Sequence, residues 1–422
     1  MTPIGALTPS LRTPVSMADN GATLVVVDGS PNGWAVDLTT HAFQQINDST
    51  GTFQGATKVD YIDTFLVFGP SPPPATTQSN AFISTTSGQV QFNALYVAGK
   101  TDYPDPLVGL IVNRHEILLL GTVKSEIWYD AGNPQLPFAE LPGAYIEHGC
   151  AAAFSVASSD ISVFWLAQSL QGQGVVLRQR GYTTQRISNH ALEYALRQVV
   201  RKAGTLADAT AYTYQQDGHY FYVLTLPSGD QTWVFDDSIQ DPMLAWHQRA
   251  FNDDGVLRRE RPMSHAFFGG ENVVQDWENG ALYAMDPEYY ADTVDGIDHP
   301  IRYLRTFPHI GRAYSEQGQL IEANGKQIEF SALILDMECG TIPWDNTSGA
   351  PPPAVTIRYS DDRGRTFSGS LQLRLGANGE YLTWPTARVL GRARDRIFEI
   401  EWTGNGEGAL NGAWIEGHVL HN

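Results

Sequence analysis

The sequence predicts an all-β protein: an irregular β-propeller of about six blades with one inserted helix, followed by a C-terminal β-sandwich-like domain. Three observations predict it. Forty Gly and 24 Pro stand beside 18 Tyr, 18 Phe and 10 Trp, a composition that suits many short strands joined by tight turns. One strand-and-turn cadence recurs along the first two thirds of the chain. Only one segment carries a helical period.

The cadence is carried by GATLVVVDGSPNGWAVDL, EILLLGTVKSEIWYDAG, SVFWLAQSLQGQGVVLRQRG, HYFYVLTLPSGDQTWVFDD and HAFFGGENVVQDWENGALYAMD. Each has an apolar strand, a polar turn usually containing Gly, and a second strand. An aromatic residue is often followed within three residues by Asp: Trp34 with Asp37, Trp128 with Asp130, Trp233 with Asp236, Tyr283 with Asp286. A sixth, weaker unit, DTFLVFGPSPPPATTQSNAFISTTSGQVQF, holds a Pro-rich insertion in its turn. Irregular recurrence of this kind fits propeller blades with variable loops, the alternative being a sandwich with similar hairpins.

The helical segment is ALEYALRQVVRKAG. Leu192, Ala195, Leu196, Val199 and Val200 fall on one face, Ser188 is the expected N-cap and Gly204 the expected C-terminal stop. Its use is packing on a blade edge. Beyond residue 300 the runs QIEFSALILDM, AVTIRYS, SLQLRL, YLTW, DRIFEIEWTG and GAWIEGHV read as strands of a second all-β domain, with the proline-bearing loop WDNTSGAPPPAV between them. The expected organisation is an N-terminal arm over 1–20, a propeller over 21–300 and a C-terminal β domain over 301–422.

Composition excludes several function classes. With 46 acidic against 27 basic side chains the formal charge is −19, the opposite of what a protein gripping DNA phosphates needs. No apolar run is long enough for a membrane span, and MTPIGALTPSLRTPVS lacks the basic-then-apolar order of a secretory signal. Asn346-Thr347-Ser348 is therefore read as a chance glycosylation match. Cys150 and Cys339 sit in apolar settings without a Cys/His cluster, so they read as buried free thiols, and no cofactor or metal is expected.

Among the motifs, YSDDRGRTFSGS (359–370) can be read as an enzyme's mark. Ser360, Asp362, Gly364, Thr366 and Phe367 fit S-x-D-x-G-x-T-[FW], which resembles the Asp-box of sialidases and other β-propellers. A sialidase would need several copies, an arginine cluster and a tyrosine nucleophile. One copy stands here, so the residues read as a structural turn: Asp362 accepts backbone N–H groups, Gly364 takes positive φ, and Phe367 tucks beneath. His115-Glu116 begins a zincin-like run, but position 119 is Leu. Asp286, Glu288, Asp292, Asp295 and Asp298 lack EF-hand spacing, and GNGEGALNG lacks dinucleotide-loop spacing. No Ser/His/Asp set stands in a nucleophile elbow, so no enzyme is expected. Two basic groups remain as candidate subunit or DNA contacts: Arg258, Arg259 and Arg261, and Arg388, Arg392, Arg394 and Arg396.

Several stretches together are recognisable. SEIWYDAGNPQLPFAELPGAYIEHGCAAAFSVASSDISVFWLAQ followed by GYTTQRISNHALEYAL, and later YSDDRGRTFS followed by LGRARDRIFEIEWTG, resemble the packaged-DNA stabilisation family of short-tailed bacteriophages, also called the tail nozzle or hub. The likeness is strongest over 124–200 and 355–402. It implies a β-propeller virion protein with no catalytic residues. It further implies a homohexameric ring in the tail below the portal adaptor ring, partners among adaptor, needle, plug or other distal tail proteins, and genomic DNA passing through the channel. Such a protein is made in the host cytoplasm and works in the virion tail. The alternatives are a glycan-binding propeller, with exposed Trp and Tyr stacking on sugars, and a glycoside hydrolase.

Overall fold

The computed structural model describes residues 3–7, 14–72, 75–168, 174–310, 312–314, 320–322, 325–344, 352–404, 406 and 408–420. The chain divides into two compact units, one of residues 1–250 and 258–284, the other of residues 251–257 and 285–422.

Between residues 16 and 285 the alternating runs become six successive antiparallel sheets. The first holds Ser16–Asp19, Thr23–Val27, Gly33–Asp37 and Phe43–Gln45; the second Lys58–Ile62, Phe65–Gly69, Ala81–Thr85 and Phe92–Gly99; the third Leu107–Asn113, Glu116–Gly121, Ser125–Asp130 and Phe138–Ile146. In the fourth, Gly149–Cys150 and Ala157–Ser158 both pair with Val163–Gln168, followed by Gly174–Arg180 and Thr183–Arg186. The fifth runs Thr210–Gln216, His219–Leu226, Gln231–Asp236, Trp246–Asp253 and Val256–Arg259, and the sixth Pro262–Phe268, Glu271–Asp276 and Leu282–Met285. Ser16–Asp19, placed by sequence in an N-terminal arm, is thus the first strand of the first sheet.

This is the blade-by-blade meander of a β-propeller, and polar stitches join the blades near their first strands. Ser16 Oγ donates to Val59 O at 3.2 Å, Val112 N to Asp60 Oδ2 at 2.7 Å and Asn113 Nδ2 to Ser159 O at 3.2 Å. Thr213 Oγ1 donates to Ser158 O at 2.6 Å, and Asn272 Nδ2 to Gln215 O at 3.2 Å. Between the stitches, apolar side chains of neighbouring sheets interlock. Val25, Val27, Leu66 and Phe68 join sheets one and two; Val67, Phe82, Leu119 and Trp128 join two and three; Leu118, Ile127, Val163 and Trp165 join three and four. The sixth sheet lacks such a layer: among its described residues Val274 is the one buried apolar side chain, while Phe267 and Phe268 are exposed.

The helix is His190–Ala203, and its apolar face packs where sheets four and five meet, with Leu192, Leu196 and Val199 against Phe164, Leu224 and Trp246. Its N-cap is Asn189, whose Oδ1 accepts from Leu192 N at 2.9 Å, and not Ser188. Ser188 lies one residue too early and is buried, with its hydroxyl donating to Glu193 Oε1 at 2.7 Å. Gly204 closes the helix at φ 76°, donating to Val200 O.

The aromatic-then-Asp cadence has a local cause. Trp34, Trp128, Trp233 and Tyr283 all lie on the third strand of their sheets, and the Asp that follows stops the strand by accepting an N–H two residues on. Asp37 takes Thr39 N at 2.9 Å, Asp130 takes Gly132 N at 2.8 Å, Asp236 takes Ser238 N at 2.9 Å and Asp286 takes Glu288 N at 2.8 Å.

The second unit is built on a β-sandwich. One sheet has the order Tyr303–Thr306, Ile397–Trp402, Ala354–Ser360, Leu371–Arg374; the other has Thr386–Ala393, Ile328–Met337, Leu410–Val419, all antiparallel. Phe330, Leu333, Leu335, Val355, Ile357, Leu390, Phe398 and Ile400 fill the space between them. The expected strand YLTW is not one. Turns at Ala377–Glu380 and Glu380–Thr383 and then Pro385 break it, and Tyr381, Leu382 and Trp384 are exposed. Residues 345–351 of the WDNTSGAPPPAV loop, Asn346 among them, lie outside the described residues.

Candidate functional site: two arginine groups and an Asp turn

The turn of 360–367 begins where Ala354–Ser360 leaves the sandwich. Ser360 is buried, and its Oγ donates to Asp362 Oδ1 at 2.7 Å while accepting from Gly364 N at 2.8 Å. Asp362 Oδ1 also accepts from Arg365 N at 3.0 Å and Thr366 N at 2.8 Å, and Oδ2 from Thr366 Oγ1 at 2.6 Å. Those bonds, the Thr366 hydroxyl first, hold the Asp362 carboxyl well below the usual carboxylate range although it is exposed. Gly364 sits at φ 83°, where a β-carbon would be strained. Phe367 is half-buried, with the Arg358 guanidinium 5.4 Å from its ring centre.

All four hydrogen bonds shown for the Asp362 carboxylate come from the turn itself. Its neighbour Asp361 points the other way and forms a bidentate pair with Arg396, Nε to Oδ1 at 2.6 Å and Nη2 to Oδ2 at 2.7 Å. Arg396 is 2% exposed, donates through Nη1 to Leu390 O at 2.5 Å, and lies 4.1 Å from the Tyr359 ring centre and 4.7 Å from that of Phe330. As a candidate subunit or DNA contact Arg396 is therefore corrected: it is a core residue with all its charge satisfied inside the sandwich.

The other arginines of that run stay outside. Arg388 and Arg392 lie on the outward face of Thr386–Ala393, in register across Ile328–Met337 with Glu416 and His418. Arg392 meets Glu329 at 3.2 Å. Arg394 is exposed beside His309, Arg363 and Asp395 at the rim of a depression of about 760 Å³ floored by Phe307, Pro308 and Ile310. There Asp395 accepts from His309 Nδ1 at 2.7 Å and Arg363 Nε at 3.3 Å.

Beside Arg388 the structure shows a group the sequence reading passed over. Trp384 and Trp414 stack with ring centres 5.5 Å apart, each about half exposed, and Leu382 and Val389 are both 90% exposed. Val389 is turned out by a break in the strand, at φ 56°. The available signal was Pro385, which ends the run that YLTW suggested to be a strand.

The first arginine group lies where sheets five and six meet and is neutralised there. Arg261 pairs with Asp276 at 2.5 Å and Glu278 at 2.8 Å, and the Asp276 side chain is fully buried. Arg259 lays its guanidinium 3.7 Å from the Trp277 ring centre, and its N–H donates to Asp230 Oδ1 at 3.1 Å. Arg258 lies 3.7 Å from Asp230 Oδ2.

Of the weaker motifs, His115 stands in a hairpin turn at φ 61° and meets Asp63 at 2.6 Å. Asp286–Asp298 spans a hairpin of Ala291–Val294 and Ile297–Pro300. Among the described residues no three His, Cys, Asp or Glu side chains form a metal-holding group. Cys150 and Cys339 are buried free thiols, and burial pushes Cys150 up to about 11. No described helix is long and apolar enough to cross a membrane.

Six consecutive meander sheets describe a β-propeller, and a family model agrees. The phage stabilisation model, described as bacteriophage P22 Gp10, beta-propeller, matches residues 2–290. The chain belongs to that family. It is thus a phage structural protein of the packaged-DNA stabilisation class, and the match spans all six propeller sheets. No curated protein matches the sequence. Solved structures similar to this family member include the computationally designed Ika8 protein, at 13% identity over 64% of this chain and 70% of that one, TM-score 0.36. The WD40 beta propeller domain of Doa1 is similar at 9% identity over 63% and 76%, TM-score 0.34, and Hsv2 of Kluyvelomyces marxianus at 10% over 76% and 91%, TM-score 0.35. At these low TM-scores the likenesses carry no weight in the assignment.

Proposed function

We propose that the chain is the tail nozzle of a short-tailed phage: six copies form a ring below the portal adaptor, retain the packaged genome and line part of the channel through which it leaves. The observation that carries this reading is the family match across the entire propeller. Its partners are then further copies of itself, an adaptor ring on one side and a needle, plug or other distal tail protein on the other. It works in the virion tail, without catalysis or cofactor.

The charge distribution supports a conduit rather than a clamp. Each copy carries −19, and the arginines of the propeller group are met by Asp230, Asp276 and Glu278, so they release few counterions to a passing duplex. DNA is then held by a closure at the end of the channel and slides once that closure opens. The test is to assemble phage particles without this protein and follow their DNA content by sedimentation. Particles should package and then lose DNA, and adding back purified protein before release should preserve it. Particles that keep a full genome without the protein refute the reading.

A further inference from the structure

We infer that the outward face of the three-stranded sandwich sheet, centred on Arg388 and the Trp384–Trp414 pair, receives the acidic hairpin 286–300 of a neighbouring copy. The inference deepens the proposed ring by naming a contact that closes it.

The receiving face has the composition of an interface centre. Trp384 and Trp414 present half their surface, Leu382 and Val389 are 90% exposed, and two cations, Arg388 and Arg392, flank them on the same strand face. Trp and Arg are the side chains that concentrate binding energy in protein contacts, and exposed apolar groups of this size beside them mark a docking surface. Arg392 has Glu329 as a partner at 3.2 Å, whereas Arg388 is exposed on a row whose facing residue, Glu416, lies one strand beyond Ala332.

The hairpin offers the complement. Glu288, Asp295 and Asp298 are exposed, His299 is the one basic-type side chain between 286 and 300, and Tyr289 and Ile297 are exposed by 58% and 62%. Asp295 and Gly296, at φ 51° and 80°, make a tight turn that projects the carboxylates as a narrow edge. The receiving face also carries Glu329, which holds Arg392, and Glu416, so Arg388 is the cation it offers to the hairpin's carboxylates, with Trp384 and Trp414 beside it for the hairpin's two apolar anchors. Placement within the second unit adds to this. The hairpin leads directly into Tyr303–Thr306, an edge strand of the four-stranded sheet, while the receiving face belongs to the other sheet. The hairpin forms a two-stranded sheet of its own, separate from the sheet that carries the receiving face, so the two complementary surfaces are available to join copy to copy head to tail. That is the heterologous contact from which a closed ring is made.

The experiment measures assembly of the purified full chain by sedimentation velocity across a concentration series. Arg388→Glu and, separately, Glu288→Arg with Asp298→Arg should each raise the concentration needed for assembly by at least about tenfold, and Trp384→Ala should do so without any change of charge. Combining Arg388→Glu with the two hairpin reversals should bring assembly back towards wild type, which also shows that the separate variants fold. Wild-type assembly by all three separate variants overturns the contact, as does a combination that fails to restore assembly although every variant melts like wild type. A wild-type chain that stays monomeric at all concentrations overturns the ring itself, and this contact with it.

Discussion

Arg261 and Arg388 stand in similar company in the sequence, each in a run of three or four arginines, yet they end in opposite states. In the propeller group, acidic residues of adjoining loops and strands absorb the charge: Asp276 is buried beneath Arg261, Glu278 caps it, and Asp230 faces Arg258 and the backbone of Arg259. In the sandwich group, the end of the strand at Ala393 splits the run, with Arg396 turned inward to Asp361 and three aromatic rings and Arg388, Arg392 and Arg394 left outside. The difference teaches that a basic run is not a surface. Its availability depends on what neighbours it, and in this chain the propeller ties Arg261 to a buried carboxylate while the sandwich keeps Arg388, Arg392 and Arg394 for the exterior.

The strongest way to break the comparison is at the buried end. Arg396→Ala leaves the half-exposed Asp361 unpaired and, more costly, empties the buried site among Tyr359, Phe330 and Phe398, so the lost packing should cost the sandwich about 3–5 kcal/mol in urea denaturation. An Arg396→Ala chain with wild-type stability would mean that this arginine is as dispensable as a surface one.

Arg261→Ala comes next. It leaves the buried Asp276 with its turn N–H donors but without a cation, and since Glu278 is largely exposed the loss should be smaller, roughly 2–3 kcal/mol in the propeller's unfolding transition. Arg388→Ala measured alongside should change monomer stability by no more than about 0.5 kcal/mol. Equal effects at the two sites would erase the distinction between tie and exterior.

A smaller effect is expected at the turn that presents Asp361. The folded carboxyl of Asp362 is lowered, so its hydrogen bonds stabilise the sandwich in full above the ordinary value of 3.8 and lose that contribution as the pH falls below it. The melting difference between wild type and Asp362→Ala should accordingly be constant above about pH 5 and shrink in more acidic buffer. A difference that grows towards acid would contradict the assignment of the carboxylate as the acceptor.

The smallest expected signal is none. In an electrophoretic shift assay at physiological salt the isolated protein should leave duplex DNA unshifted, and neutralising Arg258, Arg259 and Arg261 should change nothing, because Arg261 is tied to Asp276 and Glu278, Arg258 faces Asp230 and Arg259 lies on the Trp277 ring. Salt-sensitive binding that vanished in the triple variant would make that group a DNA clamp and undo the conduit reading.

The propeller cadence was legible because its cause is local. Asp37, Asp130, Asp236 and Asp286 end their strands by bonding to N–H groups two residues away, and Ser360, Asp362, Gly364 and Thr366 close their turn within seven residues. The helix was legible for the same reason, apart from its first residue: Ser188 and Asn189 both suit an N-cap, and the choice fell to Glu193, which engages the Ser188 hydroxyl. The strand expected at YLTW failed because alternation alone does not reveal whether a partner strand is present, and turns on one side with Pro385 on the other leave Trp384 facing solvent.

From the sequence by itself came the all-β class, the repeated blade unit, the turn at Asp362 and the resemblance that the family match bears out, all set by neighbours a few residues apart. Tertiary structure alone decided which arginines are ties and which are surface, and it assembled Trp384, Val389 and Trp414 into one exposed face. Those outcomes depend on pairings between residues such as Arg396 and Asp361, or Trp384 and Trp414, that lie 30 or more positions apart, and strand register, not local pattern, brings such residues together.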